Sequence, residues 1–172
     1  MPGLIVVYTG HGKGKTTAAL GLSLRAMGHN QKVGFMQFMK GSPDYGEFLI
    51  APMLPGFRIV QCGRDTFVSP ENPDPVDVRM AQEGLTMSEQ WLKESCFGLV
   101  VLDEILVAIA YGLLTVDRVL AVLEVGRVHT DIVLTGRYAP ERIIQVADTV
   151  TVMQERRHAY QRGIAAKAGM EF

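Results

Sequence analysis

The sequence has few cysteines, no large excess of charge of either sign and no hydrophobic run long enough to span a membrane. The two cysteines among 172 residues, Cys62 and Cys96, are too few for a disulfide framework and are typical of a reducing compartment. Seventeen basic and eighteen acidic residues give a net charge of −1, so no overall field draws the chain to nucleic acid or anionic lipid. The longest apolar stretch, FGLVVLDEILVAIAYGLL, contains two acids, and the opening MPGLIVVYTG lacks the features of a signal peptide. We therefore expect a cytoplasmic protein with no nucleic-acid or membrane partner.

Short β-branched runs alternate with longer helical patterns along the whole chain, which predicts one α/β domain over residues 1–172. Several of the runs are almost continuously apolar, as strands of a largely parallel sheet are when both faces are covered. The six predicted strands are residues 4–9, 32–38, 57–62, 98–103, 131–136 and 149–154.

Helix boundaries are marked by capping residues. The first predicted helix stops at Gly28, and the later ones start where a short polar residue or a proline precedes an apolar periodicity. These starts are Asp74 with Pro75, Thr115, and Pro140.

The segment GHGKGKTT, residues 10–17, lies between a predicted strand and a predicted helix, as a phosphate-binding loop does. Gly10, Gly12 and Gly14 allow a tight curve whose N–H groups point at anionic oxygens. Lys15 would reach the outer phosphates, and Thr16 would offer a hydroxyl to Mg²⁺. The alternative, a glycine-rich turn with a solvated lysine, is disfavoured by the flanking strand and helix. The loop therefore predicts a nucleoside triphosphate site.

Polar residues follow three other predicted strands. Asp103 and Glu104 end LVVLDE, where an acid in a phosphate-loop protein holds Mg²⁺ directly or through water. Arg137 follows VLTG and either reaches the phosphates or forms a surface ion pair, two readings that the sequence does not separate. For Lys40 after MQFM, and for His158 in the basic tail, we expect a solvated side chain.

Taken together, YTGHGKGKTTAALGLSLRAMGH, VGFMQFMKG, VVLDE, YGLL, VLTGRYAPERIIQVADTVTVM and RGIAAKAGMEF resemble the phosphate-loop type of ATP:corrinoid adenosyltransferase. The resemblance runs in order from Leu4 to Phe172. It implies a three-layer, RecA-like phosphate-loop NTPase fold with a mostly parallel six-stranded sheet. It also implies the transfer of the 5′-deoxyadenosyl group of ATP to the cobalt of a Co(I) corrinoid, with release of inorganic triphosphate.

The resemblance also implies the roles of particular residues. Gly10 to Thr17, including His11 and Lys13, would hold the triphosphate of ATP, and Arg137 would lie near the nucleotide. Lys15, Thr16, Glu104 and Arg137 would form the catalytic set. Thr16, Asp103 and Glu104 would hold Mg²⁺, with Mn²⁺ as an alternative metal.

The expected partners are ATP, a corrinoid, and reduced flavin or flavodoxin as the electron donor, and the family suggests a homodimer. The best-known members have Asn at the position of His11 and a Phe-Thr-Trp segment that presses on the corrinoid. Here that region reads GRDTFVSPENPDP, and Phe67 is the nearest aromatic candidate for the corrinoid contact, with side-chain packing as the alternative.

Two other functions stay open from the residues alone. One is a phosphate-loop ATPase or kinase that acts at the γ-phosphate, for which Glu104 is the evident base. The other is a non-catalytic, nucleotide-dependent binding module that uses the basic tail, which the near-neutral composition disfavours.

Overall fold

The computed structural model describes residues 2–172, in which six strands form one sheet with every neighbouring pair parallel. The order across the sheet is β3-β2-β4-β5-β1-β6. The six predicted strands are confirmed. The sheet was predicted to be mostly parallel, and in the structure all neighbouring strands are parallel. In chain order the strands are β1 (Ile5–Thr9), β2 (Val33–Phe38), β3 (Phe57–Cys62), β4 (Leu99–Asp103), β5 (Asp131–Thr135) and β6 (Thr149–Val152).

The helices begin at the capping residues expected from the sequence. The Asp74 carboxylate accepts a hydrogen bond from the backbone N–H of Val76 at 2.8 Å, and the Thr115 hydroxyl accepts one from that of Arg118 at 3.3 Å. Within residues 2–172, no helix is both long enough and apolar enough to cross a bilayer. The helices are α1 (Lys15–Gly28), α2 (Gly46–Ile50), α3 (Pro75–Lys93), α4 (Ile105–Ala110), α5 (Val116–Gly126) and α6 (Glu141–Val146), and Ala51–Met53 and Tyr160–Arg162 form 3₁₀ turns.

Both faces of the sheet are covered, but unequally. Side chains of β4 alternate between the faces, so Val100 and Leu102 join the larger core with residues of α3 to α6. Leu99 and Val101 join a smaller core in which Ala19 of α1 is buried. Covering on both faces explains why β4 reads as a continuous apolar run.

The central strands end side by side. Gln37 of β2 is in register with Asp103 of β4, and Leu102 of β4 is in register with Leu134 of β5. The residues that follow these strands therefore meet at one edge of the sheet, which is where open α/β sheets bind ligands.

Leu102→Ala should lower the free energy of unfolding by about 2–5 kcal/mol, because Leu102 is fully buried in the larger core and its loss leaves a cavity. Leu24→Ala on α1 is the matched control, since Leu24 is 66% exposed, and it should change stability by less than about 0.5 kcal/mol. Urea unfolding measures both. Equal losses would contradict the assignment of Leu102 to the packed core.

Candidate functional site

A cavity of about 490 Å³ opens at the carboxyl edge of the sheet. Its walls come from the loop between β1 and α1, the ends of β2, β4 and β5, helix α2 and the last residues of the chain. The lining residues are His11, Gly12, Lys13, Gly14, Lys15, Thr16, Thr17, Leu20, Lys40, Tyr45, Gly46, Glu47, Glu104, Arg137, His158, Gly169, Met170, Glu171 and Phe172.

The glycines of the loop are needed for backbone conformation and for close packing. Gly10 and Gly14 have φ of 97° and 111°, in the left-handed region that favours glycine. A Cβ at Gly10 would lie 2.3 Å from the carbonyl oxygen of Met153. The N–H of Gly12 donates to that same carbonyl at 2.8 Å, so the loop is held against the chain that leaves β6.

The ammonium of Lys15 lies inside the loop. Its Nζ donates to the carbonyl oxygens of Gly10 at 2.9 Å and Gly12 at 2.8 Å, and the residue is 7% exposed. Burial lowers the pKa of Lys15, and the positive charge of Arg137 acts in the same direction, against the carboxylates of Glu104 and Asp103. The ammonium is thus held where anionic oxygens could replace the two carbonyls.

The carboxylate of Asp103 is fully buried and joins three parts of the chain. Its Oδ1 accepts hydrogen bonds from the hydroxyls of Thr16 at 2.9 Å and Thr135 at 2.7 Å. Its Oδ2 accepts one from the ammonium of Lys40 at 2.8 Å. A buried charge requires such partners because desolvation is otherwise costly.

The prediction that Lys40 is solvated was wrong. Its side chain is only 15% exposed and also lies 3.8 Å from the Glu47 carboxylate and 5.2 Å from the ring centre of Tyr45. Burial by itself would lower the pKa of Lys40, but the charge and hydrogen bond of Asp103 outweigh burial, and the pKa is raised. The sequence placed Lys40 at a strand end but could not show that a buried carboxylate stood opposite.

Glu104 has an uncommon backbone conformation. Its φ of 60° lies in the left-handed region, which is unfavourable for a residue with a side chain, and its N–H donates to the Thr135 hydroxyl at 2.9 Å. Burial, and then the neighbouring Asp103 carboxylate, raise the pKa of Glu104, while Lys40, Lys15 and Arg137 oppose the rise. The turn directs this carboxylate into the cavity beside Lys15 and Thr16.

A chain of amides that sequence reasoning missed supports the wall opposite the loop. Gln61 donates to Gln37 at 3.2 Å and to the Ser42 carbonyl at 2.9 Å, and Gln37 donates to Glu47 at 2.8 Å. These contacts tie the edge strand β3 and helix α2 to the end of β2. Only the fold reveals them, because the glutamines follow an ordinary strand pattern in the sequence.

Arg137, His11 and Thr17, which the family resemblance assigns to the nucleotide, all line the cavity. Arg137 forms no ion pair with any residue of the described part of the chain, so the surface ion pair is not the arrangement found. The ring of His11 stacks edge-on with that of Tyr138 at 5.5 Å between centroids.

Lys13, His158 and Phe67 differ in their placement. Lys13 lines the cavity and pairs with Glu171 at 2.8 Å. His158, expected to be a solvated residue, is half-buried and lines the same cavity. Phe67 is fully exposed and lies outside the cavity lining, so the structure does not bring it to the other predicted site residues.

The residues predicted to hold Mg²⁺ offer hard oxygen donors that suit this ion. Thr16 and Asp103 are in direct contact, and Glu104 faces the same cavity. Across residues 2–172, no group of three or more His, Cys, Asp or Glu side chains forms a metal cluster. The Thr16 hydroxyl and the Glu104 carboxylate are nevertheless suitable ligands for Mg²⁺, which normally keeps several waters and takes other ligands from phosphates.

Sequence comparison decides the family to which this site belongs. The family model described as ATP:corrinoid adenosyltransferase BtuR/CobO/CobP matches residues 1–172. The chain belongs to the ATP:corrinoid adenosyltransferase family. The resemblance inferred from the motifs is thereby confirmed, and the protein is a transferase.

Relatives of this adenosyltransferase extend over nearly all of it. The corrinoid adenosyltransferase of Pseudomonas aeruginosa is 37% identical over 170 residues, which cover 99% of this chain and 84% of the relative. The corrinoid adenosyltransferase of Escherichia coli K12 is 34% identical over 171 residues, which cover 99% of this chain and 86% of the relative. The corrinoid adenosyltransferase CobA of Salmonella typhimurium is 33% identical over 171 residues, with the same coverage.

A solved structure supports the fold. The flagellar accessory protein FlaH from Methanocaldococcus jannaschii matches with a TM-score of 0.58, covering 88% of this adenosyltransferase and 72% of FlaH. Because the two chains are 14% identical, the match concerns the fold alone. The predicted three-layer, RecA-like fold is confirmed by the sheet and by this match.

Thr135→Val should destabilise the adenosyltransferase by roughly 2–6 kcal/mol. Valine has the same shape but removes the hydroxyl, so Asp103 loses one donor and the Glu104 N–H loses its acceptor, at roughly 1–3 kcal/mol each. Thr135→Ser is the control: it keeps the hydroxyl and should lose only about 1 kcal/mol for the missing methyl group. Urea unfolding compares the two, and equal stability of the two variants would show that the hydroxyl does not support the site.

Proposed function

We propose that the protein catalyses attack by the cobalt of a Co(I) corrinoid on the 5′ carbon of ATP. A cobalt–carbon bond forms, the bond between C5′ and its oxygen breaks, and the electron pair of that bond leaves with inorganic triphosphate. Cobalt supplies both electrons of the new bond, so no external oxidant is consumed in this step. No proton has to be moved, and the protein's task is to bind, orient and neutralise charge.

The observation that carries this proposal is the convergence of cationic groups around a glycine loop in the cavity. Lys15, Lys13 and Arg137 line the same space as the loop and the first turn of α1. The triphosphate leaving group is strongly anionic, and fixed positive groups stabilise it most where water is limited. Binding it at the loop leaves the C5′ end of the nucleotide to face the corrinoid, and orientation supplies further catalysis.

The roles of individual residues follow from their positions. Backbone N–H groups between Gly10 and Thr17, other than that of Gly12, which donates to Met153, would hold phosphate oxygens. The Lys15 ammonium would exchange its present carbonyl acceptors for those oxygens. Arg137, which is free of ion pairs in the described chain, would contact the phosphates with its planar fork.

Mg²⁺ would be held by the Thr16 hydroxyl and the Glu104 carboxylate, with Asp103 acting through its hydrogen bond to Thr16. Mn²⁺ offers the same coordination chemistry as an alternative. When bound, the metal neutralises charge on the triphosphate. The conformation of Glu104, fixed by Thr135, orients the carboxylate for this role.

The corrinoid would approach from the loop 63–74, which carries Phe67. A smaller cavity of about 210 Å³ lies against this loop at Asp65 and shares Tyr45 and Phe172 with the nucleotide cavity. Arg64 fixes the base of the loop through two hydrogen bonds to Asp77, at 2.8 and 2.7 Å. Phe67 would press on the corrinoid face and favour loss of the lower axial ligand from Co(II), which eases its reduction.

Other parts of the proposal stay predictions from the sequence and the family. They are reduced flavin or flavodoxin as electron donor, a homodimer, a cytoplasmic location and a single domain over residues 1–172.

Incubation of the protein with MgATP and chemically reduced Co(I) cobalamin, without oxygen, should give a light-sensitive alkylcobalamin and one triphosphate per corrinoid. The cobalt spectrum and ion chromatography of the phosphates measure the two products. Formation of ADP and phosphate with an unchanged corrinoid would instead favour attack at the γ-phosphate.

Lys15→Ala should lower this turnover by more than about a hundredfold, since the leaving group loses a fixed positive charge. Lys32→Ala is the charge-matched control, because Lys32 is exposed and lies at the opposite end of β2, and it should retain turnover. Similar rates for the two variants would remove Lys15 from the catalytic set.

Phe67→Ala should leave adenosylation of chemically prepared Co(I) cobalamin within about twofold of the parent rate, while the route that starts from Co(II) with reduced flavin falls at least about tenfold. Val128→Ala, which shortens an exposed apolar side chain at the amino edge of the sheet, is the control. Equal loss on both routes would count against contact of Phe67 with the corrinoid.

A further inference from the structure

The last residues of the chain form a compact turn at the mouth of the nucleotide cavity. The N–H groups of Met170 and Glu171 donate to the Lys167 carbonyl at 3.0 and 2.9 Å, and that of Gly169 donates to the Phe172 carbonyl at 2.8 Å. Gly169 has φ of 77°, which closes the turn. We call Lys167–Phe172 the terminal turn. Four of its residues line the cavity, so it forms one wall of the proposed ATP site.

The terminal turn engages a lysine of the phosphate loop. The Nζ of Lys13 donates to the Met170 carbonyl at 2.7 Å and to the Glu171 carboxylate at 2.8 Å. The two side chains are 39% and 28% exposed, so water reaches the pair. The hydrogen bond from Lys13 lowers the pKa of Glu171, which keeps the carboxylate ionised.

A carboxylate at this position is unfavourable for an anionic ligand. The cavity presents Lys13, Lys15 and Arg137 to a triphosphate, whereas Glu171 adds a negative charge to the same space. Lys13 can donate to several acceptors, but its hydrogen bonds to the terminal turn occupy donors that phosphate oxygens would need. Carboxylate and phosphate oxygens both accept charge-assisted hydrogen bonds from an ammonium, so each can take the place of the other at Lys13.

We propose that Glu171 competes with the triphosphate of ATP, and with the triphosphate product, for the ammonium of Lys13. The terminal turn releases Lys13 when the triphosphate binds and takes it back when the product leaves. Release of a highly charged product from a site built to hold it is thereby assisted by an internal anion. The inference rests on the proposed function, since it requires that the loop binds a triphosphate.

Glu171→Gln should therefore bind inorganic triphosphate more tightly. Exposed ion pairs are weak, so the Kd for triphosphate should fall by roughly two- to fivefold. This difference between the variant and the parent should become smaller as the salt concentration is raised. Isothermal titration of the full chain with inorganic triphosphate and with MgATP measures this. A carboxylate that merely maintained the shape of the site would give the opposite result, weaker binding on substitution.

Two comparisons separate competition from a general effect of charge. Glu83→Gln removes one negative charge on the exposed side of α3, outside the cavity lining, and should leave the affinity for triphosphate unchanged. In a Lys13→Met background, Glu171→Gln should tighten binding less than it does in the parent, because only the direct repulsion between Glu171 and the phosphates remains once the contested ammonium is gone.

Each outcome bears on one proposal. If the parent protein binds neither triphosphate nor MgATP, the proposed function is overturned. If the parent binds both but Glu171→Gln binds triphosphate no more tightly than the parent, competition for Lys13 is overturned and the proposed function stands. The same conclusion follows if Glu171→Gln raises the affinity for triphosphate as much in the Lys13→Met background as in the parent.

Discussion

The buried carboxylate of Asp103 is the contact on which the arrangement of the site depends. A charge that is fully removed from water requires partners, and Asp103 receives them from three places that are distant in sequence: Thr16 on α1, Lys40 after β2 and Thr135 on β5. Both oxygens that hold these donors belong to one side chain. This contact therefore fixes the relative positions of three parts of the site: the phosphate loop, the wall that bears Lys40 and the turn at Glu104. Moving any one of them would leave the carboxylate short of a donor.

Tight turns after the central strands make this convergence possible. Met39 after β2, Glu104 after β4, and Gly136 and Tyr138 after β5 all have φ in the left-handed region. This conformation is uncommon for residues with a side chain, and strained backbone of this kind occurs often at functional sites. Here the turns direct Lys40, Glu104 and Arg137 back over the sheet edge and into the cavity, whereas strands that ran on would carry them away.

The charges of the cavity suit a reaction in which an anionic group leaves. Lys15 and Lys13 are both engaged by oxygens of the protein itself, carbonyls for Lys15 and a carbonyl with the Glu171 carboxylate for Lys13. Replacing these oxygens by those of a triphosphate preserves the hydrogen bonds while changing their charge. Such a site is organised before the ligand arrives, which is how fixed dipoles and charges contribute most to catalysis.

The sequence by itself determined the six strands, the caps at Asp74 and Thr115, the phosphate loop and the family. Each of these depends on a local pattern of residues or on a set of motifs in a fixed order. It placed Thr16, Asp103, Glu104 and Arg137 at strand or helix ends, but it assigned Lys40 and His158 to solvent. Only the tertiary structure decided which strand ends are neighbours: β4 lies between β2 and β5, so Lys40 and Thr135 reach the same carboxylate. The pairing of Lys13 with Glu171 likewise joins residues 158 positions apart. Such contacts depend on strand order and chain path, which no local pattern of side chains encodes.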